Sequence, residues 1–117
     1  MFVFKKIADL FGGSIIKITA AELKAKLDAK EPLQIIDVRT RQEYKSDGHI
    51  SKSKLIPLSE LPSRSRNLRK NKPIVCVCRS GNRSRAACRQ LIDQGFTDVI
   101  NLKGGMNGWT QAGFPTN

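Results

Sequence analysis

Acidic side chains are scarce: ten Asp and Glu stand against 21 Lys and Arg, a formal net charge of +11. The imbalance favours anionic partners (a small anion, nucleic acid or a membrane surface), unless it only solvates the surface. Aromatics make up 6% of the chain. None falls within the basic stretch Arg64, Arg66, Arg69, Lys70 and Lys72, so base stacking is not indicated and no nucleic-acid partner is expected. Long apolar runs are missing, and no stretch reaches the roughly 18 residues that span a bilayer. Cysteine is limited to Cys76, Cys78 and Cys88. An odd number makes a poor disulfide framework and points to a reducing, cytoplasmic setting. With one histidine, His49, and no paired Cys spacing, no metal is expected, and no cofactor is implied.

What is present fits one globular domain. The 117 residues are 39% hydrophobic and 26% charged, which excludes disorder as the default. Charges interrupt the apolar residues of the first segment, Met1 to Phe11, so it does not read as a secretory signal. Phe4, Ile7 and Phe11 lie at helical spacing. Residues 1–13 are therefore an N-terminal extension: a short amphipathic helix that packs on a neighbour or touches a membrane, or, the reading we favour, a frayed terminus. Gly12-Gly13 separates it from the body, 14–117.

In the body, strands alternate with helices. A first strand is expected over Ser14–Ile18. Thr19 and Glu22 form a capping box that opens a helix with Ala20, Leu23 and Leu27 on its buried face, closed off by Pro32. Leu33–Val38 reads as a second strand whose near-continuous apolar run suits a sheet covered on both faces. Thr40 and Glu43 form a second capping box for a helix through Lys45, and Asp47-Gly48 is a turn. Lys54–Pro57 is a short third strand ended by proline. Residues 59–72 read as one or two surface helices, polar and basic around Leu68. Ile74–Val77 and Val99–Leu102 are the fourth and fifth strands. The helix between them carries Ser84, Ala87, Cys88, Leu91 and Ile92 on one face, and Gly95 ends it. A last short helix holds Met106 and Trp109. This alternation is that of a layered α/β fold with a parallel sheet, whose ligands bind at the carboxyl ends of strands.

Cys78 lies at such an end, followed by Arg79-Ser80-Gly81-Asn82-Arg83-Ser84 and a helix. Backbone N–H groups and a helix N-terminus converging on a partly exposed cysteine lower its pKa, and two arginines add positive charge. The product is a thiolate in an anion-binding cradle, a nucleophile for a small anionic substrate. Arg79 and Arg83 are candidates to hold the anion and stabilise the thiolate. Gly81 permits the curl that points N–H groups inward. Ser80, Asn82 and Ser84 are candidate donors. Cys76 and Cys88 read as small buried hydrophobes. His49 reads as structural, and Asp37, Arg39 and Glu43 as scaffold, with Arg39 pairing a carboxylate at the strand end.

Taken together, Asp37-Val38-Arg39, Glu43-Tyr44, Gly48-His49-Ile50, the Cys78–Arg83 loop, Gly95-Phe96, and Gly104-Gly105-Met106 followed by Trp109 resemble a single-domain rhodanese, over about residues 15–115. The chain departs from that pattern at Ser51-Lys52-Ser53-Lys54, where a small Gly-Ala pair is usual. The resemblance implies a three-layer α/β/α sandwich with a five-stranded parallel sheet in the order 3-2-4-5-1. It implies a sulfurtransferase in which Cys78 accepts a sulfane sulfur from an anionic donor such as thiosulfate, becomes a persulfide, and passes the sulfur to cyanide, a thiol, a dithiol or a protein acceptor. Two alternatives remain: a persulfide carrier or regulatory binding module without turnover, and a phosphatase or arsenate reductase of the same fold. The loop of the latter is one residue longer between cysteine and arginine. Here only Arg79 to Asn82 intervene, a ring too tight for phosphate and suited to a sulfur atom.

Overall fold

The computed structural model describes residues 15–117, so the expectations for residues 1–13 and for Ser14 lie outside it. Five strands, β1 (Ile16–Ile18), β2 (Gln34–Asp37), β3 (Lys54–Leu55), β4 (Ile74–Val77) and β5 (Val99–Leu102), form one sheet in the order β1-β5-β4-β2-β3. All pairings are parallel, and read from the other edge the order is 3-2-4-5-1, as the resemblance implies. The helices are α1 (Ala20–Asp28), α2 (Arg41–Ser46), α3 (Leu61–Arg64), α4 (Asn82–Asp93) and α5 (Gly105–Gln111). Among the described residues, no helix is long and apolar enough to cross a membrane.

Both capping boxes form. Thr19 and Thr40 accept from the backbone N–H of Glu22 and Glu43, whose carboxylates accept from the cap residues' own N–H groups. The first helix stops at Asp28, before Pro32, because the chain reverses through Lys30 at φ 57°. The third strand spans only two residues, but beyond it the N–H groups of Ile56 and Leu58 still reach the carbonyls of Asp37 and Val38, at 2.9 and 3.1 Å.

Strand alternation divides the core in two. Ile36, Ile74, Cys76, Val99, Ala87, Cys88 and Leu91 pack in one cluster, under α3 and α4. Ile35, Val75, Val77, Ile100, Leu102, Leu23, Met106 and Trp109 pack in the other, under α1 and α5. Helices thus cover both faces, and Cys78 continues the period of Ile74 and Cys76 into the α4 layer.

Residues 59–72 depart from the surface reading. Leu61 is fully buried in the α4-side core, Leu68 is half-buried against it, and buried Ser65 bonds to Gln94 Oε1. The expected polar stretch is a short helix flanked by two 3-10 turns at Leu58–Glu60 and Ser65–Asn67, anchored by a leucine that its polar surroundings disguised. Leu61→Ala should therefore destabilise by about 2–4 kcal/mol. Leu68→Ala should cost clearly less, and chemical denaturation of both variants measures the difference.

Candidate active site

β4 delivers the chain to Cys78, and the next turn bends back over it. Gly81 adopts φ 110°, a conformation costly for any residue with a Cβ, and its N–H points at Cys78 Sγ from 3.0 Å. Helix α4 begins at Asn82 and places the Ser84 hydroxyl 3.3 Å from the same sulfur. Burial raises the Cys78 pKa, but the Ser84 hydroxyl and the backbone N–H groups of Ser84, Gly81 and Ser80 outweigh it, leaving a thiol that ionises below its ordinary range. Cys76, two residues earlier, has the opposite fate. The adjacent Cys88 thiol and burial push it well above that range, so it stays protonated. Cys76 and Cys88 are core residues, as their sequence positions suggest.

One expectation fails: Cys78 is not partly exposed but 1% accessible. The curled loop that supplies the N–H groups also covers the sulfur.

The inward direction of the Ser80 N–H has a cause on the opposite side of the loop. The carbonyls of Cys78 and Arg79 face away from the sulfur and accept from the N–H groups of Met106 and Asn107, at 2.8 and 3.0 Å, in the first turn of α5. This seam is so close that a Cβ on Gly105 would meet the Cys78 carbonyl oxygen at 2.4 Å and that of Arg79 at 2.6 Å.

The two loop arginines differ. Arg79 is exposed and makes no ion pair among the described residues. Arg83 is clamped end-on by Glu43, Nη1 to Oε1 at 2.7 Å and Nη2 to Oε2 at 2.8 Å. That pairing, helped by Thr40, holds the Glu43 carboxyl down at about 2, against desolvation. Arg83 still has Nε–H and one hydrogen on each terminal nitrogen for another acceptor. Its charge is felt at Cys78, which in turn helps keep Arg83 protonated. Ser80 and Asn82 lie exposed on the loop, and Ser80 contributes through its backbone N–H.

The remaining polar residues are scaffold. Arg39, fully buried, forks onto Asp37 at 2.8–3.2 Å and donates to the Gly48 carbonyl at 2.8 Å, fastening β2 to the turn after α2. His49 stacks on Tyr44 at 3.7 Å, and its Nδ1 donates to the Tyr44 carbonyl at 2.9 Å. Among the described residues, no group of three or more His, Cys, Asp or Glu side chains could hold a metal ion.

Three partners escape the motif reading: Glu43 as the clamp on Arg83, the α5 N–H groups behind the loop, and Asn101. The last was detectable as the one polar residue in the apolar run Val99–Leu102.

The chain is similar to known proteins. The family model described as Rhodanese-like domain matches residues 19–112. A Bacillus subtilis protein provisionally named a sulfurtransferase, YtwF, is 40% identical over 103 residues, covering 88% of this chain and 98% of its own. Another from the same organism, provisionally named a sulfur carrier protein, YrkF, is 42% identical over 97 residues, or 83% of this chain; the match spans about half of that relative, 52%. The crystal structure of a rhodanese-like domain protein from Staphylococcus aureus superposes with a TM-score of 0.78 at 37% identity, covering 88% of this chain and 99% of that one.

Two outcomes test the geometry. Gly105→Ala must push the loop off α5, so it should destabilise by about 2–4 kcal/mol and slow Cys78 alkylation at neutral pH, read by denaturation and by iodoacetamide kinetics. For Glu43 the folded pKa lies below the unfolded value, so the clamp stabilises above the ordinary carboxylate pKa and fades as pH falls from about 5 to about 2. Glu43→Gln should cost about 1–2 kcal/mol at neutral pH after screening, and its deficit against the native chain should vanish in melts near pH 2.

Proposed function

This chain belongs to the rhodanese-like domain family, and we propose that it is a sulfurtransferase working through a persulfide on Cys78, with an anionic sulfane-sulfur donor such as thiosulfate. The observation that carries this reading is the set of N–H and O–H donors gathered on one sulfur, which lets Cys78 ionise while Cys76 two residues away does not. In the first half-reaction the Cys78 thiolate attacks the outer sulfur of thiosulfate. An S–S bond forms at Sγ, the donor's own S–S bond breaks, and sulfite leaves with that bond's electron pair. The outer sulfur keeps one negative charge. In the second half-reaction a nucleophile (cyanide, or the thiolate of a small molecule or protein) attacks that outer sulfur, and the Cys78 thiolate is regenerated as the leaving group.

Arg79, exposed beside the loop, meets the incoming anion. Arg83, Ser80, Gly81, Asn82 and Ser84 complete the binding loop, with Arg83 acting mainly as a fixed positive field because Glu43 already holds its fork. The four-residue interval from Cys78 to Arg83 supports sulfur over phosphate chemistry. The name of one relative, provisionally a sulfur carrier protein, agrees with sulfur being held on the chain.

Intact mass spectrometry after brief thiosulfate treatment tests the reading. The expected product carries one added sulfur atom per chain, lost on adding cyanide and never formed in Cys78→Ala. Cys78→Ser should reduce thiosulfate–cyanide turnover by about three orders of magnitude or more. Sulfur uptake without turnover would identify a carrier; no uptake at all would leave a binding module and refute the proposal.

A further inference from the structure

Asn101 is buried in β5, 5% exposed, and has two partners. Its Nδ2 donates to the Gly81 carbonyl at 3.1 Å, which also accepts the Arg85 N–H of α4. A carbonyl only accepts, so this contact fixes the amide orientation and turns Oδ1 toward Ser84, 2.5 Å from its hydroxyl oxygen. The same hydroxyl lies 3.3 Å from Cys78 Sγ. Ser84 has one hydrogen, and two acceptors compete for it once Cys78 has lost its proton.

We propose that Asn101 is a positioning residue that holds the Ser84 hydrogen whenever Cys78 Sγ is uncharged and yields it to the thiolate. In the thiol state the chain of donors runs Cys78 S–H to Ser84 Oγ, then Ser84 O–H to Asn101 Oδ1. On ionisation the thiol proton leaves to solvent, the Ser84 hydroxyl rotates onto Sγ, and Asn101 Oδ1 loses its partner. When a sulfane sulfur is bonded to Sγ, the charge sits on the outer sulfur and the hydroxyl returns to Asn101. Asn101 therefore opposes the bare thiolate and favours both the thiol and the persulfide. The gain is a Cys78 that accepts sulfur and retains it, instead of one ionised as far as its loop alone would allow. The persulfide half of this statement rests on the proposed function; the ionisation half does not.

The charged and titratable groups around Cys78 are Arg79 next to it in the loop, Arg83 and Cys88 from α4, Glu43 of α2 and Asp37 of β2 behind Arg83, and Cys76 on β4. Substituting Asn101 touches none of them.

The test is the pH dependence of iodoacetamide alkylation, with the adduct located at Cys78 by peptide mass spectrometry. Asn101→Leu should lower the midpoint by about half a pH unit or more, because Ser84 then has only the sulfur to serve. A merely structural role predicts the reverse, since a loosened loop loses donors. Ser84→Ala should raise the midpoint, and adding Asn101→Leu to it should move it no further. Asn101→Ala repeats the measurement with a smaller side chain. In the unsubstituted chain, the Asn101 side-chain amide resonances should shift as Cys78 titrates and move back toward their thiol-state positions after thiosulfate loading. An unchanged or raised midpoint in both Asn101 variants, an equal drop in the Ser84→Ala background, or amide resonances that ignore the titration would each overturn the proposal. A lowered midpoint together with absent sulfur uptake would refute the proposed function and leave the ionisation role of Asn101 intact.

Discussion

The geometry of the whole site hangs on one seam, where the loop carbonyls of Cys78 and Arg79 bond to the first turn of α5. A peptide unit carries its N–H and C=O on opposite sides. Fixing the Arg79 carbonyl outward therefore fixes the next N–H, that of Ser80, inward, toward the sulfur. The seam in turn requires Gly105, because any side chain there would occupy the space of the carbonyls. Two segments far apart in sequence thus cooperate: α4 opens the cradle, and α5 braces it from behind.

Within that frame the site separates charge from field. The donors that do most to lower the Cys78 pKa are neutral backbone N–H groups and one hydroxyl, with the Arg83 charge acting behind them. Dipoles placed by the fold need no counter-ion and are not screened as surface charges are. The arginine that follows the loop is already paired with Glu43, so its role is orientation and a local positive potential. Arg79, exposed beside the loop, makes no ion pair among the described residues, which suits it to the proposed role of meeting an anionic donor. The surplus of basic residues over the chain points the same way but acts at longer range and weakens with salt.

Local signals were the legible ones. Both capping boxes, the Gly81 turn and the apolar stripe of α4 follow from spacing alone, because each is settled within a few residues. Strand order is a long-range property; alternation of strands and helices implied a parallel sheet, but the order itself came through the resemblance. The features that escaped are those requiring two distant segments at once. Leu61 was hidden by its polar neighbours, although it packs fully buried in the core under α4. The Arg83–Glu43 clamp spans α4 and α2, and no local pattern distinguishes it from solvated charge. The burial of Cys78 was missed for a related reason: the loop that activates the sulfur also encloses it, and a motif specifies the curl without specifying what the curl covers.

That enclosure has a chemical consequence. A thiolate is most nucleophilic when poorly solvated and most easily formed when well solvated, and these demands conflict. Here water is replaced by donors that the fold holds in place, so the charged sulfur is stabilised without a mobile shell that must be stripped before attack. Narrow access follows directly. With Cys78 1% accessible, a reagent must present its reacting atom at the end of a slim group. A terminal sulfane sulfur meets that demand, whereas a tetrahedral phosphorus ringed by oxygens does not. The short loop, the buried sulfur and the neutral donors thus suit the proposed reaction, in which a sulfur anion must react with another sulfur while larger electrophiles and bulk water are kept away.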